Sequence, residues 1–315
     1  MADSSNFDLG LGLENTHVVV TGGAGLIGSV VVTAFLRAGA KVTSMDISYP
    51  NQISPSPTSE TKADPPSSNL QELHCDITSA TSLASAWQHA TAHFGTVETC
   101  VALASLDLSV LPQTDSLADA DAETIARVLA TNIGGTFATA QMWLRGIREH
   151  VDDSRTRRRR RAEDADADDA DAELKNPCLI LVGSEAGHFG VRTQAAYAAS
   201  KSAVQYGLLQ SLRADAPRIC ARARVNAVAP GPVDTPRFHE ETGGQGTMEW
   251  WAECEATTAL RQPVPVQAVA RSVLFLASER WSSNVHGQVL NVDSGKQGAL
   301  MWAHEGETRK VLQDG

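Results

Sequence analysis

Short apolar runs alternate along the chain with longer stretches of helical periodicity. A β-branched run covers residues 17–20, and an apolar stretch compatible with a helix extends to Arg37. Gly39 ends that helix, and residues 41–45 predict a second strand ending at Asp46. Five further strands are predicted at residues 72–75, 99–104, 178–182, 224–228 and 288–292. This alternation predicts an α/β fold with one doubly wound parallel sheet of about seven strands, helices on both faces, and ligands at the carboxyl ends of the strands.

Three segments depart from the pattern. Residues 1–14 predict a flexible tail, and residues 50–68, rich in Pro, Ser and Thr, predict a flexible loop. Residues 152–175 contain five consecutive arginines followed by acidic residues alternating with alanines, a composition with little apolar surface for ordering. A nuclear-targeting or nucleic-acid role for these arginines is the alternative to an insertion whose charges pair with each other. We therefore expect a single domain over residues 15–315 with flexible insertions near 50–68 and 152–175.

Composition narrows the class of protein. Of 315 residues, 42% are hydrophobic and 20% charged, which is typical of globular proteins. The net charge of −11 argues against a nucleic-acid or anionic-membrane partner. No apolar run is long enough for a membrane helix, and no secretory signal is visible, so we expect a cytoplasmic protein without a membrane partner. Five cysteines without a CxxC pair predict neither disulfides nor a metal site.

The glycines between the first strand and the first helix predict a dinucleotide site. Thr21 to Gly28 reads TGGAGLIG, and such glycines allow a tight turn and a close approach of backbone N–H groups to a pyrophosphate. Asp46, at the end of the next strand, can bind the adenosine ribose hydroxyls and repel a 2′-phosphate, which favours NAD over NADP. The alternative is that Asp46 is only a polar residue at a strand end.

A second group of residues predicts acid–base chemistry. Tyr197 and Lys201 are four residues apart, which places both on one face of a helix. The ammonium can lower the pKa of the phenol and make it a usable proton donor and acceptor. Ser184 follows the apolar run at residues 179–182 and is expected at the carboxyl edge of that strand.

The order and spacing of these motifs resemble the short-chain dehydrogenase/reductase family over nearly the whole chain. The matching segments are 21–28, 75–78, 132–135, 184–187, Tyr197 with Lys201, 224–231 and 292–295. The resemblance implies a single Rossmann-type domain and a catalytic tetrad of Asn132, Ser184, Tyr197 and Lys201. In that family the tyrosine exchanges a proton with the substrate oxygen, the serine polarises it, the lysine tunes the tyrosine and holds the nicotinamide ribose, and the asparagine supports a water.

The resemblance also implies a cofactor site and an assembly. Asp76 would face the adenine, and Val233 and Thr235 would meet the carboxamide. The full set expected to hold NAD is Gly22, Gly25, Leu26, Ile27, Gly28, Asp46, Asp76, Ile77, Asn132, Tyr197, Lys201, Pro230, Gly231, Val233 and Thr235. A homodimer or homotetramer would form through the helices expected near residues 121–148 and 194–214.

Two segments differ from the short members of the family. Leu26 stands at the middle glycine position, which leaves the GxxGxxG spacing of longer sugar-nucleotide members. Ala102-Leu103-Ala104-Ser105 replaces an NNAG segment and removes side-chain hydrogen bonds that steady the cofactor edge.

The substrate end carries less information. Residues 236–262 occupy the position of the family's variable lid and include Trp250 and Trp251, which suggests a bulky, partly apolar small-molecule substrate. The alternative is that both tryptophans pack onto the domain or a neighbouring subunit. His188 is either a substrate contact or a loop residue.

The function that we expect is NAD(P)(H)-dependent interconversion of a secondary alcohol and a ketone. The alternatives are non-redox cyclisation or isomerisation in specialised metabolism, a dinucleotide-sensing regulator without turnover, and sugar-nucleotide epimerisation.

Overall fold

A seven-stranded parallel sheet forms the centre of the protein. The computed structural model describes residues 8–51, 68–163 and 173–303, and for residues 158–163 the backbone only. The strands run in the order β3-β2-β1-β4-β5-β6-β9, and every pairing is parallel. They are β1 (His17–Thr21), β2 (Lys41–Asp46), β3 (Leu70–His74), β4 (Thr99–Ala102), β5 (Cys178–Val182), β6 (Arg224–Pro230) and β9 (Val289–Val292). The prediction of a doubly wound α/β fold is confirmed.

Helices cover both faces of this sheet. They are α1 (Leu26–Arg37), α2 (Ala80–Phe94), α3 (Ala122–Leu129), α4 (Thr136–Glu163), α5 (Ala186–Phe189), α6 (Ala195–Ser202), α7 (Leu209–Ile219), α8 (Pro236–Thr242), α9 (Met248–Trp250), α10 (Val266–Ala277) and α11 (Glu279–Ser282). Two π-helical turns, Ala130–Gly135 and Ala203–Leu208, join α3 to α4 and α6 to α7. A small parallel pair, β7 (Val233–Asp234) with β8 (Val264–Pro265), brackets the segment that contains α8 and α9.

The central strands are buried on both faces, which explains their continuous apolar sequences. All five residues of β1 and all five of β5 are buried. On one face the core includes Trp143 and Ile147 of α4, and on the other it includes Phe35 of α1 and Val273 of α10. The carboxyl ends of these strands are thereby held at one rigid edge.

Residues 8–14 are packed against the domain, so the expectation of a flexible tail is wrong for this part. The Leu13 side chain is fully buried. Asn176 Nδ2 donates to the Gly12 carbonyl oxygen at 2.8 Å. Arg280 pairs with Asp8 at 2.5 Å. These contacts attach the segment to α11 and to the turn before β5, whereas residues 1–7 lie outside the described residues.

The expected insertion at residues 152–175 begins as a helix instead of a loop. Helix α4 continues to Glu163, and Arg155 pairs with Asp152 one turn earlier at 3.7 Å. Arginine, alanine and glutamate are good helix formers, and extending an existing helix costs far less than starting one. Residues 164–172 and the expected loop at 52–67 lie outside the described residues. Beyond them, Leu174 is buried in the core.

In the described part of the chain, no helix has the length and hydropathy needed to cross a bilayer. All five cysteines are free thiols, and all but Cys220 are buried.

Candidate active site

One cleft of about 1010 Å³ lies at the carboxyl edge of the sheet and joins most of the predicted site residues. Those lining it are Gly22, Gly25, Leu26, Ile27, Asp46, Asp76, Ile77, Ser184, Tyr197, Lys201, Pro230, Gly231, Val233 and Thr235. Five predicted residues lie outside its lining, namely Gly28, Asn132, His188, Trp250 and Trp251.

The glycine turn is shaped by two close backbone approaches. Gly22 has a φ of 73°, and a Cβ there would lie 2.7 Å from the Cα of Ala104. A Cβ at Gly28 would lie 2.0 Å from the Gly22 carbonyl oxygen, so this glycine serves packing and does not face the cleft. Helix α1 begins after Gly25, whose missing side chain leaves the first N–H groups uncapped. Such a helix start fits a dinucleotide pyrophosphate.

Asp46 links the glycine turn to the end of β2. One carboxylate oxygen accepts from the Ala24 N–H at 3.1 Å, and the other accepts from the N–H and hydroxyl of Ser48 at 2.9 and 2.8 Å. The carboxylate is thus fixed in the cleft wall, where the ribose of a dinucleotide is expected.

The Thr21 side chain makes hydrogen bonds to the segment after β4, whose own side chains lack those of the NNAG sequence. Its Oγ1 lies 3.2 Å from the Leu103 N–H nitrogen and 3.4 Å from that of Ala104. Although Ala102–Ser105 differs from the NNAG segment of the family, its backbone is therefore still hydrogen-bonded to β1.

Asn132 lies behind the cleft. Its Oδ1 accepts from the Leu106 N–H at 2.8 Å, and its Nδ2 donates to the Leu106 carbonyl at 3.0 Å and to Ser200 Oγ at 3.1 Å. Asn132 does not line the cleft, although its neighbour Thr131 does. The side chain therefore positions the segment after β4 and is not placed to contact a substrate.

Ser184, Tyr197 and Lys201 meet as predicted. Ser184 follows β5, and its hydroxyl oxygen accepts from the Ala186 N–H at 3.1 Å. The Ser184 side chain is close enough to the Tyr197 phenol to lower its pKa. The Ser184 N–H donates to Gln205 Oε1 at 2.9 Å, so the π-helical turn fixes this loop. Lys201 Nζ donates to the Val182 carbonyl at 3.0 Å and lies 5.6 Å from the centre of the Tyr197 ring.

Burial dominates the protonation of this group. Burial raises the pKa of the Tyr197 phenol well above its usual range. The Ser184 side chain lowers this pKa, whereas the carboxylates of Asp107 and Glu185 raise it further. Burial also lowers the pKa of Lys201 to about 8, which Asp107 partly opposes. Burial thus opposes the lowering of the phenol pKa that was expected from Lys201, and the phenol is protonated at pH 7.

The lid turns its tryptophans away from the cleft. Trp250 is buried, its Nε1 donates to Glu255 at 3.0 Å, and its ring packs 5.3 Å from Phe238. Neither Trp250 nor Trp251 lines the cleft. The lid residues that do are Arg237, Phe238, Glu241, Thr242, Glu249 and Glu253. The two tryptophans therefore agree with the alternative interpretation, in which they pack onto protein and do not contact the substrate.

His188 is a structural residue of the loop after β5. Its Nδ1 lies 2.5 Å from the Tyr206 hydroxyl and its Nε2 lies 2.9 Å from Asn291 Oδ1. Both ring nitrogens are engaged outside the cleft lining, so His188 is not placed to contact a substrate.

Sequence reasoning missed the charged residues at the substrate end. Asp107 follows β4, Glu185 follows Ser184, and Lys296 follows the last strand, and all three line the cleft. Glu185 lies within the matching segment 184–187, and Asp107 and Lys296 lie within two residues of segments 102–105 and 292–295. This proximity to recognised segments was the sequence signal that could have identified them.

The comparisons with known proteins agree with this architecture. A family model described as "short chain dehydrogenase" matches residues 16–152, and one described as "Enoyl-(Acyl carrier protein) reductase" matches residues 171–297. Together they cover most of the chain. The chain belongs to the short-chain dehydrogenase/reductase family. This dehydrogenase/reductase is accordingly an NAD(P)-dependent oxidoreductase.

Relatives of this dehydrogenase/reductase match it over nearly its whole length. 2-(S)-hydroxypropyl-CoM dehydrogenase 3 from Xanthobacter autotrophicus is 27% identical over 288 residues, which cover 90% of this chain and 97% of that protein. The 3-oxoacyl-(acyl-carrier-protein) reductase MabA from Mycobacterium tuberculosis is 28% identical over 282 residues, covering 88% and 91%. A solved short chain dehydrogenase/reductase family protein superposes with a TM-score of 0.65 at 23% identity, covering 90% and 97%.

Proposed function

We propose that this enzyme interconverts a secondary alcohol and a ketone, with Tyr197 as the proton donor and acceptor. The observation that carries the proposal is that Ser184, Tyr197 and Lys201 line the same cleft as the glycine turn. A nicotinamide bound there supplies or accepts the hydride.

Ser184, Tyr197 and Lys201 have different roles in moving the proton. Ser184 and Tyr197 both line the cleft, so a substrate oxygen placed between their hydroxyls would receive a hydrogen bond from each. In the reduction direction the neutral phenol gives its proton to the oxygen as negative charge develops there. Lys201, fixed on the Val182 carbonyl, then stabilises the phenolate electrostatically.

We propose NAD as the preferred cofactor. Asp46 presents a fixed carboxylate at the end of β2, within the cleft lining and beside the glycine turn. A second negative charge, such as a ribose 2′-phosphate, would be repelled there.

A homodimer or homotetramer is the proposed assembly. Most of the apolar residues on the two long helices are covered by the sheet, but Phe137 and Tyr206 remain 50% and 45% exposed. Two large rings exposed on these helices support a contact with a second subunit.

The test of the proposed chemistry is the Tyr197→Phe variant. Its turnover with a panel of ketones and reduced nicotinamide should fall about 10²–10⁴-fold, the usual contribution of a positioned acid–base group. Tyr206→Phe is the matched control, because this phenol lies outside the cleft lining and bonds to His188. Turnover that survives in Tyr197→Phe, or falls equally in both variants, would remove Tyr197 from the mechanism.

A further inference from the structure

Glu185 is a charged residue beside the catalytic serine. Its backbone N–H donates to the Pro230 carbonyl at 2.9 Å, and its carbonyl accepts from the His188 N–H at 2.8 Å. The residue is therefore fixed between the end of β6 and the start of α5. Glu185 lines the cleft together with Ser184 and Tyr197.

One carboxylate oxygen of Glu185 lacks a hydrogen bond. Its Oε2 is buried and finds no partner among the residues that the structure describes. The other oxygen, Oε1, lies 3.7 Å from Lys296 Nζ. A buried acceptor without a donor is unfavourable, and more so when it is charged, so it calls for an explanation, which a ligand that donates to it would supply.

Lys296 pairs with the Glu185 carboxylate but does not reach its Oε2 atom. Its Nζ donates to the Glu253 carbonyl at 2.7 Å and lies 3.8 Å from the Glu253 carboxylate. The Lys296 side chain is only 12% exposed. The ammonium is thus shared between the lid and the core, which leaves Glu185 Oε2 as an acceptor.

The charge around Glu185 favours a donor over an anion. Burial raises the pKa of Glu185 to about 7, Lys296 lowers it, and Glu253 and Asp293 raise it again. Two further lid carboxylates, Glu241 and Glu249, also line the cleft. A substrate group that donates a hydrogen bond would stabilise the charged form of Glu185, whereas a substrate anion would meet repulsion from it.

We propose that Glu185 is a specificity-determining residue that accepts a hydrogen bond from a donor group of the substrate, a hydroxyl or an ammonium adjacent to the reacting carbon. The substrates are then α-hydroxy or α-amino ketones and the corresponding alcohols. This inference rests on the proposed alcohol–ketone chemistry and gives it a substrate class. It replaces the expectation of an apolar substrate that the lid tryptophans suggested.

The test uses sets of ketones that differ by one group of similar size. One set is pentan-3-one, 1-hydroxybutan-2-one and 1-aminobutan-2-one, and the other is propiophenone, α-hydroxyacetophenone and α-aminoacetophenone. In the wild-type enzyme, kcat/KM should be at least about tenfold higher for a donor-bearing member than for the ketone without a donor. The hydroxy and amino members show which donor is used.

Glu185→Gln keeps the size of the side chain and removes its charge. It should cancel most of that preference, with a larger loss for the ammonium than for the hydroxyl, and change kcat/KM for the ketone without a donor by much less than kcat/KM for the donor-bearing ketones. Glu249→Gln, which removes another carboxylate from the same cleft, is the control and should retain the preference. Thermal melts of both variants check their folding.

The outcomes separate this inference from the proposed function. Turnover that depends on Tyr197 but shows no preference for donor-bearing ketones overturns the role of Glu185 and leaves the alcohol–ketone chemistry standing. An equal loss of preference in Glu185→Gln and Glu249→Gln also overturns it, because the general field of the cleft would then be responsible. A wild-type enzyme that reduces none of the six ketones contradicts both.

Discussion

Replacing Gly28 with alanine should destabilise the protein although the residue lies in a helix. A Cβ at this position would lie 2.0 Å from the Gly22 carbonyl oxygen and 2.9 Å from the Gly22 carbonyl carbon and the Gly23 Cα. All three are backbone atoms, so no flexible side chain can move aside. The helix start and the glycine turn must separate by more than about 1 Å to restore ordinary contact distances.

The expected cost follows from two opposing effects. Overpacking of this kind costs about 1–3 kcal/mol, and alanine recovers about 0.5–1 kcal/mol relative to glycine within a helix. We expect a net loss of about 1 kcal/mol in the free energy of unfolding. Because total stabilities are about 5–15 kcal/mol, the variant should remain folded and measurable. The displaced turn should also weaken NADH binding about tenfold or more.

Gly146→Ala is the matched control, since Gly146 lies inside α4 and its added Cβ would meet only Trp87 Nε1 at 3.7 Å. This variant should gain about 0.5–1 kcal/mol. Urea unfolding without cofactor measures both stabilities, and calorimetric titration with NADH measures the affinity. A Gly28→Ala protein with wild-type stability and affinity would refute the close-approach argument.

Two further predictions concern the cofactor and acid stability. Asp46→Ser should weaken NAD binding and strengthen NADP binding, as measured by paired titrations, and a wild-type preference for NADP would show that Asp46 does not select the cofactor. Burial lowers the pKa of His17 from 6.5 to about 4. The unfolded chain therefore takes up this proton first, and about 3 kcal/mol of stability should be lost as pH falls from 6.5 to 4. His17→Gln should lack this part of the pH dependence in urea unfolding, and an unchanged slope would contradict it.

The fold and the shared helix face of Tyr197 and Lys201 could be predicted from sequence because local patterns specify them. A buried parallel strand is a continuous apolar run, and the predicted bounds of β5, residues 178–182, agree with the structure. The four-residue spacing of Tyr197 and Lys201 fixes their common helix face whatever surrounds the helix. The glycine turn likewise depends on the backbone freedom of neighbouring residues.

Amino-acid composition did not correctly predict which segments of the chain are ordered. It predicted flexibility for residues 152–175, yet α4 continues to Glu163 because a helix already anchored by Trp143 and Ile147 extends cheaply through good helix formers. It also predicted a loose tail up to residue 14. Leu13 is buried there, and its neighbour Gly12 accepts a hydrogen bond from Asn176, which is 164 positions away, so no local pattern encodes this packing.

The sequence by itself determined the strands, the glycine turn and the common helix face of Tyr197 and Lys201, since each follows from neighbouring residues. Only the tertiary structure decided which side chains face the cleft. Packing turned Trp250 into the lid, and a contact with Leu106 engaged the Asn132 amide. The tertiary structure also decided the proton affinities, because burial raises the pKa of Tyr197 despite the nearby Lys201. Orientation and desolvation depend on residues distant in the chain, and these come together only when it folds.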